Sequence, residues 1–292
     1  MATVIQLIIS GIAIGSVYGL VALGFVTIYR TCGVVNFAQG EFVMLGGMLS
    51  YWLWKHVHIP YALAAVLTII AVCVFGLGIY QLVVAPLRRA PAVMIVLGTL
   101  AVSALVEAIS LLWFEGWPIY GPSFSATQIL DVFGVGLYTQ NLWVILMVAI
   151  VVTALALLNN KTHLGKKMTA TASDPLAAGL VGVRSGSMIR LAFIISAAIG
   201  AIGGVFISPV IPMTYSIGAG LALKGFVAAV LGGWGTASGA VVGGVVLGVI
   251  EMLVGGYLPS GFQDAIAFIL LILVLAVRPR GLLGKPLIVE EG

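Results

Sequence analysis

The chain has 292 residues, 62% of them hydrophobic and only 8% charged, with a mean hydropathy of +1.23. Water-soluble domains carry about a quarter of their residues as charges, so most of this surface faces lipid, and the net charge of +4 reads as membrane topology rather than nucleic-acid binding. Two cysteines, Cys32 and Cys73, are too few for a disulfide framework and lack metal-ligand spacing.

At roughly 20 residues per span, the chain has room for about eight or nine transmembrane helices. The expected fold is therefore an all-α polytopic membrane bundle, a single transmembrane domain over residues 1–292. Its 38 glycines would disrupt a soluble helical protein but let helix backbones approach closely in a membrane.

The first span covers residues 4–28. Its start lacks a cationic region before a long apolar run, so it reads as a span and not a cleaved leader. Gly11, Gly15 and Gly19 recur every fourth residue, a groove for a neighbouring helix. The next apolar segment is interrupted by Asn36, Gln39 and Glu41. Two readings stand: these residues lie at the cytoplasmic interface, or they belong to a broken helix lining a pathway. The segment closes in Trp52, Trp54, Lys55, His56 and His58, an interfacial belt. Residues 61–85 and 92–114 are further spans, the first ended by Pro86 with Arg88 and Arg89, the second carrying Glu107. Residues 116–140 are rich in turn formers and read as an external loop with a short surface helix.

Residues 142–158 span again and deliver the chain into its longest polar interruption, 159–190. Within it Asp174 can cap a helix whose first position is Pro175. Leu176, Leu180 and Val183 then share a face, and Gly182 is placed to end the helix. A short helix with an apolar stripe in an aqueous loop needs a partner surface. Residues 191–211 form the next span, with Pro209 and Pro212 at its exit. Residues 218–232 are short and carry Lys224. Residues 237–255 hold Glu251, a turn at 258–261 includes Ser260, and residues 262–277 are stopped by Arg278, Pro279 and Arg280 ahead of a polar tail. A buried ion pair between Lys224 and Glu251 or Asp264 would lower the expense of holding each at membrane depth.

Arg30, Arg88, Arg89, Lys161, Lys166, Lys167, Arg184, Arg190, Arg278, Arg280 and Lys285 make up 11 of the 13 Lys and Arg. The positive-inside rule places them in the cytoplasm, with the N-terminus external and the C-terminus cytoplasmic. A faint internal repeat is audible: Phe42-Val43 and Leu45-Gly46-Gly47 echo Phe226-Val227 and Leu231-Gly232-Gly233. Interrupted apolar segments at matching places in two halves point to a pathway at the repeat interface. The candidate pathway residues are Asn36, Gln39, Glu41 and Lys224. No nucleotide-binding loop is present, since the stretch from Gly281 to Lys285 is too short and runs into Pro286. Two transport classes remain open: a permease driven by ATPases on other chains, and an ion-driven transporter or channel acting alone.

Several motifs resemble those of inner-membrane permeases of branched-chain amino acid ABC importers, the LivH type. They are Gly33 through Asn36, Gln39-Gly40-Glu41, Met44 and Gly46; Leu164-Gly165 through Met168, Asp174, Ala177, Ala178, Leu180 and Gly182; and Gly232 through Gly244 with Glu251. The likeness runs almost end to end, with Gln39 standing where many relatives carry His. It implies a multi-pass protein of the bacterial inner membrane that is not itself an enzyme. It implies a second permease of similar fold, two cytoplasmic ATPase subunits holding Mg-ATP, and an extracytoplasmic solute-binding protein. It also implies that Asp174, Pro175, Leu176, Ala177, Ala178, Leu180 and Gly182 form the coupling element within 159–190. This chain itself is expected to hold no metal or cofactor.

Overall fold

The computed structural model describes residues 2–125, 129–132, 135–259, 261–278 and 280–284. Ser260, Pro279 and the tail from Lys285 lie outside the described residues. The helices are α1 (Ala2–Cys32), α2 (Gln39–His56), α3 (Tyr61–Ile79), α4 (Ala92–Phe114), α5 (Thr139–Lys161), α6 (His163–Ser173), α7 (Pro175–Leu180), α8 (Ser185–Ile207), α9 (Ile217–Gly232), α10 (Ala237–Tyr257) and α11 (Phe262–Val277). The loop after α4 holds an antiparallel hairpin, β1 (Ile129–Val132) and β2 (Val135–Tyr138), where a surface helix was expected. Its β-branched and aromatic residues favour extended pairing.

Among the described residues, six helices are long and apolar enough to cross a membrane: α1, α3 extended through Val84, α4, α5, α8 and α10. That is fewer than the eight or nine segments anticipated, because α2 opens on polar residues and α9 and α11 are short. The helix after α3 loosens into a π turn at Tyr80–Val84 and a 3-10 turn at Pro86–Arg89. Pro86 has no N–H for the helical ladder, so α3 cannot run straight on.

Lipid offers no hydrophobic drive between helices, so association rests on close backbone packing. The seam of α1 with α10 is built that way. A methyl group on Gly15 would strike the backbone of Gly244 and Val245, and one on Gly248 would strike Gly15. The Gly11, Gly15, Gly19 row is therefore the groove its spacing implied. α1 lies against α10 as α8 lies against α3; α2 packs on α8 as α9 packs on α1; α2 and α9 also touch each other. Exchanging α1 with α8, α2 with α9 and α3 with α10 maps this packing onto itself. The glycine echo read from sequence does not mark equivalent places, for Gly46 and Gly47 lie inside α2 whereas Gly233 follows the end of α9.

Basic side chains gather at one end. Arg30 shares a cleft with Asn159 and Met168, and Arg88 shares another with Pro175 and Ser185. The segment after α11 returns to that end, where Leu282 and Leu283 donate to the carbonyls of Leu231 and Gly232.

Gly248→Val is expected to destabilise the detergent-solubilised protein by about 1–3 kcal/mol through overpacking of the seam. Gly78→Ala, where the added methyl meets open space, stays within about 1 kcal/mol of the parent. Thermal unfolding of the two variants checks this, and equal midpoints would contradict the seam.

Candidate translocation centre

Gly33 closes α1 with φ +70°, donating its N–H to the Tyr29 carbonyl at 2.7 Å. A left-handed residue there suits glycine. The chain then stays non-helical until α2. Three of its peptide N–H groups find partners inside the protein: Ala38 N–H donates to Asn36 Oδ1 at 3.2 Å, Gln39 N–H to the Asn36 carbonyl at 3.1 Å, and Phe37 N–H to Thr99 Oγ1 at 3.2 Å. Asn36 and Gln39 are fully buried and Glu41 is 1% exposed. The segment is thus a non-helical stretch between α1 and α2 whose polar side chains are enclosed by protein rather than exposed to solvent.

The break is held halfway along its neighbours. Ser196, at the midpoint of α8, lies with its hydroxyl 2.6 Å from Gln39 Oε1 and 3.0 Å from the Gly24 carbonyl, while Gln39 Nε2 donates to the Ser196 carbonyl at 3.3 Å. Gly24 has no room for a methyl because the Gln39 amide fills that space. Ser103, at the midpoint of α4, donates to Glu41 Oε1 at 2.7 Å. Glu41 Oε2 and Asn36 Nδ2 are buried with no hydrogen-bond partner among the described residues. Ser103, Thr99 and Ser196 were not singled out from sequence. Their only signal is a lone small hydroxyl at mid-span in an apolar run, which is common in membrane helices.

A second break separates α8 from α9, at residues 208–216. The loop after α4 pins it: Ile119 and Met213 exchange backbone hydrogen bonds at 3.0 and 2.8 Å, and Gly121 N–H donates to the Ser208 carbonyl at 3.0 Å. Tyr61 and Gln140 reach the same region, donating to the carbonyls of Val205 at 3.1 Å and Phe206 at 2.9 Å. α9 then runs antiparallel past α2. Gly40 packs on the backbone of Gly218 and Ala222, and the Glu41 carboxyl occupies the space where a Gly218 side chain would stand. The Glu41 carboxyl thus lies beside the first turns of both α2 and α9, where helix dipoles favour a negative group. Beneath it Phe25, Phe37 and Phe226 pack edge-on or tilted at 5.7–6.2 Å between ring centroids.

Asn36, Gln39 and Glu41 therefore come together at one place. Lys224 does not join them. It turns to α10, where Nζ lies 2.6 Å from Glu251 Oε1 and 5.6 Å from the centroid of the Tyr18 ring. The anticipated pairing with Glu251 forms; the Asp264 side chain lies outside the described residues.

The interruption at 159–190 is mostly helical. α5 runs to Lys161, and α6, which the sequence reading missed, is capped by Thr162 Oγ1 accepting from Gly165 N–H at 3.2 Å. Asp174 caps α7 as foreseen, its Oδ1 accepting from Leu176 N–H at 2.8 Å and Ala177 N–H at 3.1 Å, with Pro175 in the first position. Gly182 follows at φ +82°, and Val183 N–H closes back on the Ala178 carbonyl at 2.9 Å. Ala178 is buried against the bundle. Leu176 is 83% exposed, Leu180 91% and Val181 78%. The bare stripe is thus Leu176, Leu180 and Val181, with Val183 tucked half-buried beneath them.

A helical membrane protein with two mid-bundle breaks, adjacent short helices starting from them, and a capped helix carrying bare leucines at its basic end has the architecture of a transport permease. The model of the family described as branched-chain amino acid transport system, permease component, matches residues 7–275, and the chain belongs to that family. It is a LivH-like, multi-pass permease of the inner membrane. The high-affinity branched-chain amino acid transport system permease proteins LivH of Salmonella typhimurium and of Escherichia coli K12 are each 30% identical to it, over 97% of this chain and 96% of their own. BraD of Pseudomonas aeruginosa is 29% identical over the same shares. The autoinducer 2 import system permease LsrC of Yersinia enterocolitica is 31% identical over 70% of this chain and 57% of its own. No solved structure matches the chain.

Ser196→Ala leaves the buried Gln39 amide oxygen without its donor and is expected to destabilise the protein by about 1–3 kcal/mol. Ser196→Ala with Gln39→Leu removes both partners and should destabilise by less than the sum of the single changes. Unfolding midpoints of the four proteins in detergent measure the coupling; strict additivity would refute the bond.

Proposed function

We propose that this chain is the pathway-forming subunit of an ATP-driven importer for branched-chain or other amino acids, or related small polar or carboxylate solutes. The family description and the names of its relatives support the cargo class. Its partners are a second permease of similar fold, two cytoplasmic ATPases that bind Mg-ATP, and an extracytoplasmic solute-binding protein. The basic end of the bundle faces the cytoplasm, as the positive-inside rule directs. The N-terminus is then external and the C-terminus cytoplasmic. With α2, α9 and α11 completing the membrane layer, the six long helices become about eight or nine segments.

The observation that carries this reading is α7. A short helix capped at both ends stands at the basic end of the bundle with Leu176 and Leu180 almost wholly bare. Bare leucines on an ordered helix call for a partner surface, and here that partner is the motor. α7 adjoins α6, and α6 packs on α1, α5 and α8. Motion imposed on α7 thus reaches the end of α1, immediately before the first break. The mirrored packing of α1, α2 and α3 with α8, α9 and α10 supports an inverted repeat, with the solute path at its interface near Asn36, Gln39 and Glu41. Discontinuous helices let the two breaks act as hinges between outward and inward openings.

Leu180→Glu changes a side chain that touches almost nothing within the chain, so folding and membrane insertion should be unaffected. Solute uptake by cells is expected to fall to background while the amount of protein in the membrane stays constant. Undiminished uptake at wild-type expression would remove α7 from the coupling role.

A further inference from the structure

The first break carries two buried side-chain atoms without partners among the described residues, and they are of opposite character. Asn36 Oδ1 accepts from Ala38 N–H, so the free end of that amide is the Nδ2 group, a donor. Glu41 Oε1 accepts from Ser103, so the free end of that carboxyl is Oε2, an acceptor. Asn36 is fully buried and Glu41 very nearly so. Buried polar atoms ordinarily have partners, and an unmet one is costly.

α4 sets the scale of their separation. Phe37 N–H, next to Asn36 in the chain, is bonded to Thr99, and Glu41 to Ser103. These anchors are four residues apart on α4 (103 − 99), about 6 Å along a helix rising 1.5 Å per residue. The head of an α-amino acid carries its ammonium and carboxylate on a single carbon. With a charge-assisted hydrogen bond of about 2.8 Å at each end, it bridges groups at such a spacing.

The charge is placed as well. Gly40, in the first turn of α2, packs on the backbone of Gly218, in the first turn of α9, so the positive ends of two helix dipoles meet at this contact. The Glu41 carboxyl lies in that meeting place, filling the notch left by Gly218. A solute bearing only a carboxylate meets a like charge at Glu41. A solute bearing only an ammonium leaves Asn36 Nδ2 unmet.

Resting on the importer reading above, we infer that Glu41 Oε2 and Asn36 Nδ2 are the two ends of a site for the head group of a zwitterionic α-amino acid. Glu41 receives the ammonium, and Asn36 donates to the carboxylate. Withdrawal of α9 from α2 at the Gly40–Gly218 contact opens the place, and the break at residues 208–216, directly before α9, is where the chain can give. Among the solutes that the importer reading admits, the site rejects small polar solutes and carboxylates that lack an ammonium group.

Ligand-induced shifts in thermal unfolding test this on the purified complex, with the binding protein left out so that the membrane subunits alone select. Each of the twenty common amino acids is added at millimolar concentration. For every one that raises the midpoint, its des-amino acid and its decarboxylated amine follow. At least one amino acid should raise the midpoint, and both of its analogues should lose the shift. Glu41→Gln, whose amide oxygen still accepts from Ser103, and Asn36→Asp, whose carboxylate still accepts from Ala38 N–H, should each abolish the amino acid shift and keep the shift caused by Mg-ATP. The analogue series uses the unaltered protein, so it decides the matter even where a variant does not fold. An equal shift from either analogue, an unchanged shift in both variants, or no shift from any amino acid would overturn the site. Absence of ATPase subunits from the purified complex would instead overturn the importer reading, which separates the two failures.

Discussion

Peptide groups that leave the helical ladder inside a membrane bundle have no water to turn to. Residues 33–38 do so, and every feature around them answers that demand. An Asx turn at Asn36, a threonine hydroxyl from α4 and the short ladder restarting at Gln39 take up the N–H groups of Ala38, Phe37 and Gln39. The polar side chains brought in with the break need partners in turn; Ser196 supplies one to Gln39 and Ser103 one to Glu41 Oε1. Non-helical backbone at this depth is tolerated only where protein or a water-filled cavity surrounds it. A sequence that keeps such a break also keeps its supporting shell.

The glycines make that shell geometrically attainable. Gly24 yields its side-chain space to the Gln39 amide, and Gly218 yields its own to the Glu41 carboxyl. The α1–α10 seam brings Tyr18 and Glu251 close enough to hold Lys224. Polar centre and small-residue packing are one device, since side chains at those positions would push the helices apart and leave the buried groups unpaired.

Part of this was legible in the chain. Asp174 followed by Pro175, with Gly182 beyond, specifies a bounded helix through local backbone chemistry, and the helix stands where those residues put it. Lys224 and Glu251 found each other because a lone charge at depth has few alternatives. The residues at 36–41 advertised an irregularity without saying whether it faced water or protein; only the neighbours from α4 and α8, more than 60 and 150 positions away in sequence, decide that. α6 was missed because glycine, threonines and paired lysines blur its helical period, although Thr162 was a readable cap. The hairpin at Ile129–Tyr138 was hidden by turn formers that suit several loop conformations. The two sets of helices pack in matching pairs, whereas the glycine pairs that first suggested a repeat fall at unequal places.

In the reading proposed for this chain, the energetic link runs from α7 through α6 to the end of α1 and so to the first break. That reading assigns the driving force to another chain and leaves no place for an ion gradient. Transport by the reconstituted complex tests that claim most directly. Proteoliposomes containing this chain with its co-purifying partners, supplied with binding protein and labelled leucine, should accumulate solute only when Mg-ATP is present on the ATPase side, and collapsing ion gradients should leave the rate unchanged. Accumulation by this chain alone, driven by a proton or sodium gradient without ATP, would contradict the account.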